Sequence, residues 1–291
     1  MAWSYQYRIA KLVVQVDSDS DVCESDMQKF LCLYEAVQGL QSDLTFRVSK
    51  LKTSYTFQLI HADGRQEMLW ASNNAAEISA ALEIHLYSQL IQLLDERDIV
   101  SIHASVLNVR NHAVMFAGVS GAGKSSICTA GLLDGAAYVS DEFTLLDAQG
   151  LVHPFPRPMQ WEHPTHPAFD REALEASTVL DADYLDFPAA TGEMARCYLW
   201  HPRHVQREVL PLKVVVLHEY KAALNKVEIA EIPRHEALMA LPEHLHIQHG
   251  FSKDLPRLNQ RIPLTCKFYR LHFSDVKDAW SLIEKEVSQH L

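Results

Sequence analysis

Hydrophobic and polar positions divide the 291-residue chain into two stretches of different texture. In the first, residues 7–16, from Tyr7 to Val16, read as a strand, and a Ser- and Asp-rich turn follows at 17–26. Met27, Phe30, Leu31 and Tyr34 stand at helical spacing and predict a helix over 27–37. Strands are expected over 44–51, 55–61 and 66–71, the last after the Asp63-Gly64 turn signal. Ile78, Leu82, Leu86, Leu90 and Leu94 recur every four residues, so a helix beginning near Asn74 carries one apolar stripe and buries one face.

The texture changes at residue 99. Residues 100–107 and 112–117 read as two strands around a short polar turn at Arg110-Asn111. A glycine-rich loop and a helix start follow, then a strand over 137–140 and a hairpin centred on Gln149-Gly150. Residues 153–210 are rich in Pro and His and poorly periodic, which suggests binding loops. Residues 213–217 form a buried-type strand. A strand over 267–273 precedes a helix opened by Ser274, with Val276, Ala279, Trp280, Ile283 and Val287 on one face. The reading is an α/β chain with a small N-terminal α+β unit over 1–98 and a larger domain over 99–291.

Composition narrows the function. With 48% hydrophobic and 22% charged residues the chain is an ordinary globular sequence. Its 26 Lys and Arg against 37 Asp and Glu give a net charge of −11, which argues against coating nucleic acid or an anionic membrane. Cys23, Cys32, Cys128, Cys197 and Cys266 are odd in number and scattered, without the spacing of a zinc or redox pair. No apolar run approaches the length of a membrane span, and the first residues lack a signal-peptide pattern. The expectation is a cytoplasmic protein; oligomeric state stays open.

One motif carries chemistry. Gly118-Val119-Ser120-Gly121-Ala122-Gly123-Lys124-Ser125 fits G-x-x-x-x-G-K-[ST] completely. Its glycines let the backbone curl with N–H groups toward phosphate oxygens, and a following helix adds its positive end. Lys124 then meets the β- and γ-phosphates of ATP, Ser125 ligates Mg²⁺, and Ser126 extends the phosphate contacts. Asp141 and Glu142 close the next strand, 17 and 18 residues after Lys124, a spacing that returns both acids to the phosphate end of the sheet. Side chains alternate along a strand, so one acid can serve the metal while the other takes a proton from an attacking hydroxyl. Which acid does which stays open. His103 stands on the strand before the loop strand. Arg157, fixed between Pro156 and Pro158, could hold a phosphate or carboxylate, or lie in a surface loop; Arg203 has a weaker claim. The pairs His163/His166 and His201/His204, and the trio His244, His246 and His249, have spacings a metal could use but lack Cys or acidic partners.

Ile102-His103-Ala104, the loop, and Ser140-Asp141-Glu142 together resemble the HPr kinase/phosphorylase family, whose nucleotide fold is similar to that of phosphoenolpyruvate carboxykinase. Pro156-Arg157-Pro158 and Tyr269-Arg270-Leu271 look like the HPr-kinase-related branch found in bacterial gene clusters. The resemblance implies a catalytic His103, a metal-side Asp141 and a base at Glu142, where the family proper has Asp. It implies Mg-ATP as donor and a Ser- or Thr-type hydroxyl on a peptide, protein or small molecule as acceptor. The family's downstream Glu-containing and Arg-containing segments are not found, so neither HPr nor the reverse reaction is implied. Two other readings compete: a nucleotide-binding scaffold without transfer, and a free-serine or carboxykinase-like phosphotransferase.

Overall fold

The computed structural model describes residues 2–178, 183–188 and 194–289. In chain order the elements are β1 (Trp3–Ile9), β2 (Leu12–Ser18), α1 (Glu24–Leu31), β3 (Glu35–Val37), β4 (Leu44–Leu51), β5 (Ser54–His61), β6 (Gln66–Ser72) and α2 (Ala75–Glu96). Then come β7 (Val100–Val109), β8 (His112–Ala117), α3 (Lys124–Leu133), β9 (Ala137–Ser140), β10 (Phe143–Leu146), β11 (Leu151–His153), β12 (Met159–Trp161) and α4 (Arg171–Ala176). The chain continues with β13 (Asp183–Pro188), β14 (Met194–Trp200), β15 (Leu210–Tyr220), β16 (Glu228–Glu231), α5 (Arg234–Ala240), a 3-10 turn at Leu241–His244, α6 (Phe251–Arg261), β17 (Lys267–Phe273) and α7 (Val276–Ser288). It is a mixed α/β chain. Among the described residues no helix is long and apolar enough to cross a membrane.

Two compact units emerge. The first takes Met1–Leu90, Arg157–Pro164 and Leu180–His201, and the second takes the rest. The division falls inside α2, and the first unit reclaims two pieces of the Pro- and His-rich stretch.

In the first unit a six-stranded sheet runs β3-β1-β2-β4-β5-β6. Neighbours are antiparallel except β2 and β4. The single strand expected over 7–16 is a hairpin instead, with Ile9 opposite Leu12. Ala10 carries the turn at φ 53°, in the left-handed region that Gly or Asn usually marks, so no turn residue announces it. The helix expected over 27–37 begins earlier, at Glu24, and stops at Leu31. Met27, Phe30 and Leu31 are its buried face, and residues 35–37 leave it to pair with β1. In β4 Leu44, Phe46 and Val48 are buried while the residues between them are not, the alternation of a half-buried strand. Helix α2 starts where expected, Asn74 Oδ1 accepting from the Ala76 N–H at 3.1 Å. Ile78, Leu82, Leu86, Leu90 and Leu94 are all buried. A smaller sheet, β12-β14-β13, belongs to the same unit, so part of the stretch read as loops is strand. Residues 179–182 and 189–193 of that stretch lie outside the described residues.

The second unit is built on an eight-stranded sheet, β11-β10-β7-β8-β15-β17-β16, with β9 also paired to β7. Strands β8, β15 and β17 are parallel, and the flanking pairs are antiparallel. Arg110 and Asn111, at φ 52° and 64°, turn β7 into β8, the positive-φ pair that matches the twist of a tight hairpin. On one face Ala113, Met115, Val215, Leu217 and Phe268 pack with Ala237, Leu238, Leu241 and Leu258 from α5, the 3-10 turn and α6. The other face takes α3 and α7, with Phe116 and Trp280 rings 6.3 Å apart. Central parallel strands covered on both faces must be apolar on both, which explains the unbroken apolar run at 214–217. The last helix is capped by Asp275 rather than Ser274, its carboxylate accepting from the N–H groups of Lys277 and Asp278. Ser274 Oγ instead donates to Leu224 O at 2.8 Å.

Gly131 on α3 lets the helix lie this close. A Cβ there would meet Leu107 and would stand 2.8 Å from the Trp280 ring. Gly131→Ala should therefore destabilise the second unit by about 1–3 kcal/mol despite alanine's better helix propensity. A lower urea midpoint checks this; an unchanged or higher midpoint would show that the α3–α7 interface has slack.

Candidate functional site

Residues 118–123 leave the end of β8 and close onto the first turn of α3. Gly121 and Gly123 have φ 77° and 93°, so both lie where an L side chain is strained. Gly123 is also pressed against Phe273, whose ring a Cβ would meet at 2.8 Å. Gly118 is hemmed from the other side, since a Cβ there would come 2.7 Å from His218 O. Gly123 and Gly118 thus hold the loop against β17 and β15. Gly123, the N-cap of α3, supplies no side-chain cap to the first-turn N–H groups.

Lys124 folds back into this loop. Its Nζ donates to Gly118 O at 2.9 Å and Val119 O at 3.2 Å, and the residue is 6% exposed. Burial pulls its pKa down, and the carboxylates of Glu142 and Asp141 work in the opposite direction. The two acids sit at the turn between β9 and β10, close enough for their charges to act on Lys124.

Their settings differ. Asp141 is buried and accepts from Ser105 Oγ at 2.5 Å. Glu142 is partly exposed, and its carboxylate lies 3.3 Å from His103 Nδ1. His103 faces Phe143 across the β7–β10 ladder. Next to it stands His246, whose Nδ1 is 3.0 Å from Ser101 Oγ and whose ring stacks on Phe143 at 4.6 Å and meets His103 edge-on at 5.5 Å. His244 is buried two residues away; burial lowers its pKa, and Lys124 and His103 push the same way against Glu243. His218, near the end of β15, is 5% exposed, and neither ring nitrogen makes a hydrogen bond of good geometry, although the backbone groups of Val216 and Ala117 act on the ring. Burial first, then Lys124, drives its pKa to about 3. From the Pro- and His-rich stretch, His166 Nε2 reaches Ser126 Oγ at 2.8 Å.

The structure thus gathers His103, Lys124, Asp141 and Glu142 around the loop. It also brings in Ser105 and His218, which the sequence pattern does not mark, and His166, His244 and His246, which it marks only for spacings a metal could use. His244 and His246 stand about 140 residues from His103, and the Ile102–Leu245 bridge joins the two segments. Nothing local could have signalled that. His218 had a readable signal, its place at the carboxyl end of a buried parallel strand. Arg157 lies in the first unit, paired with Glu83 at 2.8 Å and stacked over the Tyr87 ring. Arg203 donates to Thr178 O at 2.7 Å. Of the other histidines, His201 Nε2 meets Lys29 O and His249 Nε2 meets Asp95. Among the described residues no group of three or more His, Cys, Asp or Glu is arranged to hold a metal by itself.

Ser125 and Asp141 carry hard oxygens of the kind Mg²⁺ takes. One hydroxyl and one carboxylate suit Mg²⁺, which keeps several waters and takes its remaining ligands from phosphate. The buried, Ser105-oriented Asp141 fits that use.

No protein-family profile matches the chain, and no curated protein matches it in sequence. Among solved structures it is similar to the HPr(Ser) kinase/phosphatase from Coxiella burnetii, at 15% identity and a TM-score of 0.30, over 65% of this chain and 95% of that one. So distant a likeness assigns no chemistry to these residues.

The buried neutral His218 makes stability depend on pH. Its folded pKa lies below the unfolded value, so its contribution is complete above about pH 6.5 and is lost as pH falls toward about 3. The wild-type urea midpoint should fall over that window by the equivalent of a few kcal/mol, and the fall should be shallower in His218→Leu. Parallel pH profiles for the two proteins would contradict the assignment of a neutral, buried imidazole.

Proposed function

We propose that the chain is an ATP-dependent kinase that transfers the γ-phosphoryl group of Mg-ATP to a Ser- or Thr-type hydroxyl. The observation that carries this reading is the pairing of Lys124, folded into a glycine-rich loop, with the His103–Glu142 and Ser105–Asp141 pairs beside it. A loop alone would bind phosphate; a partly exposed carboxylate held by an imidazole adds a group able to take a proton.

In this reading the loop amides and the first turn of α3 bind the phosphates. Lys124 exchanges the carbonyls of Gly118 and Val119 for phosphate oxygens, keeping its charge in a dry setting where it counts most. Ser125 and Asp141 would hold Mg²⁺, which supplies charge neutralisation when bound. Glu142 is the base and Asp141 the metal-side acid, because Asp141 is buried and fixed by Ser105 while Glu142 remains accessible to a hydroxyl. His103 orients the Glu142 carboxylate. Transfer then depends on positioning and charge, since the γ-phosphoryl group needs little covalent assistance. The overall charge of −11 makes this local cationic site necessary for a polyanionic substrate. The sequence resemblance to HPr-kinase-related enzymes points the same way. We place the protein among cytoplasmic enzymes that act on neither nucleic acid nor membrane.

Lys124→Ala should lower phosphotransfer from γ-labelled ATP by roughly a hundredfold or more; normal transfer would sink the reading. Glu142→Gln should keep Mg-ATP binding within a few-fold while transfer drops on the order of 10² to 10⁴. If instead Asp141→Asn removes transfer at unchanged Mg²⁺ dependence, while Glu142→Gln stays active, the two acids exchange roles. Tight Mg-ATP binding with no labelled product from any acceptor would favour a nucleotide-gated scaffold.

A further inference from the structure

Beside the loop, at the carboxyl ends of β8, β15 and β17, the second unit has a depression of about 280 Å³. Gly118 and Val119 of the loop line it, and Glu142 is not among its lining residues. Ligands of α/β sheets bind outside the carboxyl ends of parallel strands, so the position invites one.

Three observations say what it takes. First, Gly118 and Val119 form one wall, and these are the residues whose carbonyls hold Lys124 Nζ. A loop lysine reaches the β- and γ-phosphates, so the depression opens on the end of the nucleotide that is transferred. Second, the buried His218 and His244 belong to its lining, and neither His218 ring nitrogen makes a hydrogen bond of good geometry, the backbone groups of Val216 and Ala117 giving the ring only weak support. A buried polar group left unsatisfied is costly, and a ligand hydroxyl would satisfy it. Third, the more exposed lining residues carry both signs. Arg270, Glu219 and Glu243 all belong to the lining. Arg270 also pairs with Glu236 at 2.9 Å, and its five-donor guanidinium can serve a second carboxylate. Glu219 is shared by Lys221 and His272 at 3.1 and 3.5 Å, whereas Glu243 is largely exposed and meets the rim of the His244 ring at 3.6 Å. A cation and an anion facing one small, partly polar depression suit a zwitterion.

We propose that this depression seats the phosphoryl acceptor, and that the acceptor is a small hydroxylated amino acid whose carboxylate pairs with Arg270 and whose ammonium pairs with Glu243. The proposal rests on the kinase reading for the transfer but not for the binding. In the reaction the acceptor oxygen bonds to the γ-phosphorus while the bond from that phosphorus to the β–γ bridging oxygen breaks. ADP leaves with the electron pair, and the hydroxyl proton passes to Glu142 and on to water. The products are the O-phospho amino acid, ADP and a proton.

The test uses the full chain with Mg²⁺ and two readouts. Calorimetry with L-serine and L-threonine, in the presence of Mg-ADP, reads binding. Label from γ-labelled ATP reads transfer to those amino acids, to ethanolamine, to glycerate and to a Gly-Ser-Gly peptide blocked at both ends. We expect saturable binding of serine or threonine and label on them in preference to the other three. Arg270→Gln should raise the amino-acid KM by roughly tenfold or more with kcat changed only a few-fold, the signature of lost ground-state binding. Glu243→Gln should act in the same direction and bring serine down to the level of glycerate, which lacks the ammonium. Binding without label on any acceptor would uphold the seat and overturn the kinase reading. Label on the blocked peptide without serine binding would uphold the kinase reading and overturn the seat. Serine KM unchanged in both variants would also overturn it.

Discussion

The burial of one ammonium group organises the second unit. Lys124 is almost fully removed from water, and its Nζ is held by the carbonyls of Gly118 and Val119. An isolated cation cannot be buried cheaply, so its surroundings must answer it. They do so with two carboxylates from the β9–β10 turn and with two imidazoles, His218 and His244, whose neutrality its field reinforces. The loop can present the group only because glycine stands at positions 118 and 123, where β15 and β17 leave no room for a side chain. Substituting either glycine would therefore disturb the lysine before it disturbed the fold.

The same geometry explains why the chemistry collects at one end of the sheet. Strands β8, β15 and β17 run parallel, so their carboxyl ends bring Gly118, His218 and Arg270 to one level. Strand β7 adds His103, and its antiparallel partners β9 and β10 bring the acids, from the other side. The segment after α5 closes the arrangement by pairing Leu245 with Ile102, which sets His244 and His246 on either side of a β-bridge. That bridge lets His246 meet Phe143 and His103 while His244 joins the lining beside the loop.

Much of this was legible in the chain and some was not, for identifiable reasons. The loop motif names its own residues, because only glycine tolerates the curl and only a strand and helix on either side give it purpose. The α2 stripe and the 213–217 run were legible because burial on one face or on two leaves a periodic trace. The β1–β2 turn was hidden because Ala10 takes a left-handed conformation without a residue that advertises it. The early end of α1 was hidden because pairing of residues 35–37 with β1 overrides local helical spacing. Arg157 reads in the sequence as either a ligand-holding group or a surface-loop residue, and its Pro-flanked rigidity serves to hold the guanidinium against Glu83 and Tyr87. The histidines around the loop come from distant segments, and spacing within a segment cannot report where it docks.

The central claim is that residues 118–126 form the phosphate seat of a nucleotide site. Backbone amide resonances of the full chain, followed while Mg²⁺ and a β,γ-imido analogue of ATP are added, test it most directly. Saturable shifts are expected to concentrate at Gly121, Gly123, Lys124, Ser125 and Ser126, with smaller ones at Asp141 and His218. Saturable shifts confined to other parts of the chain, or none at millimolar analogue, would contradict it.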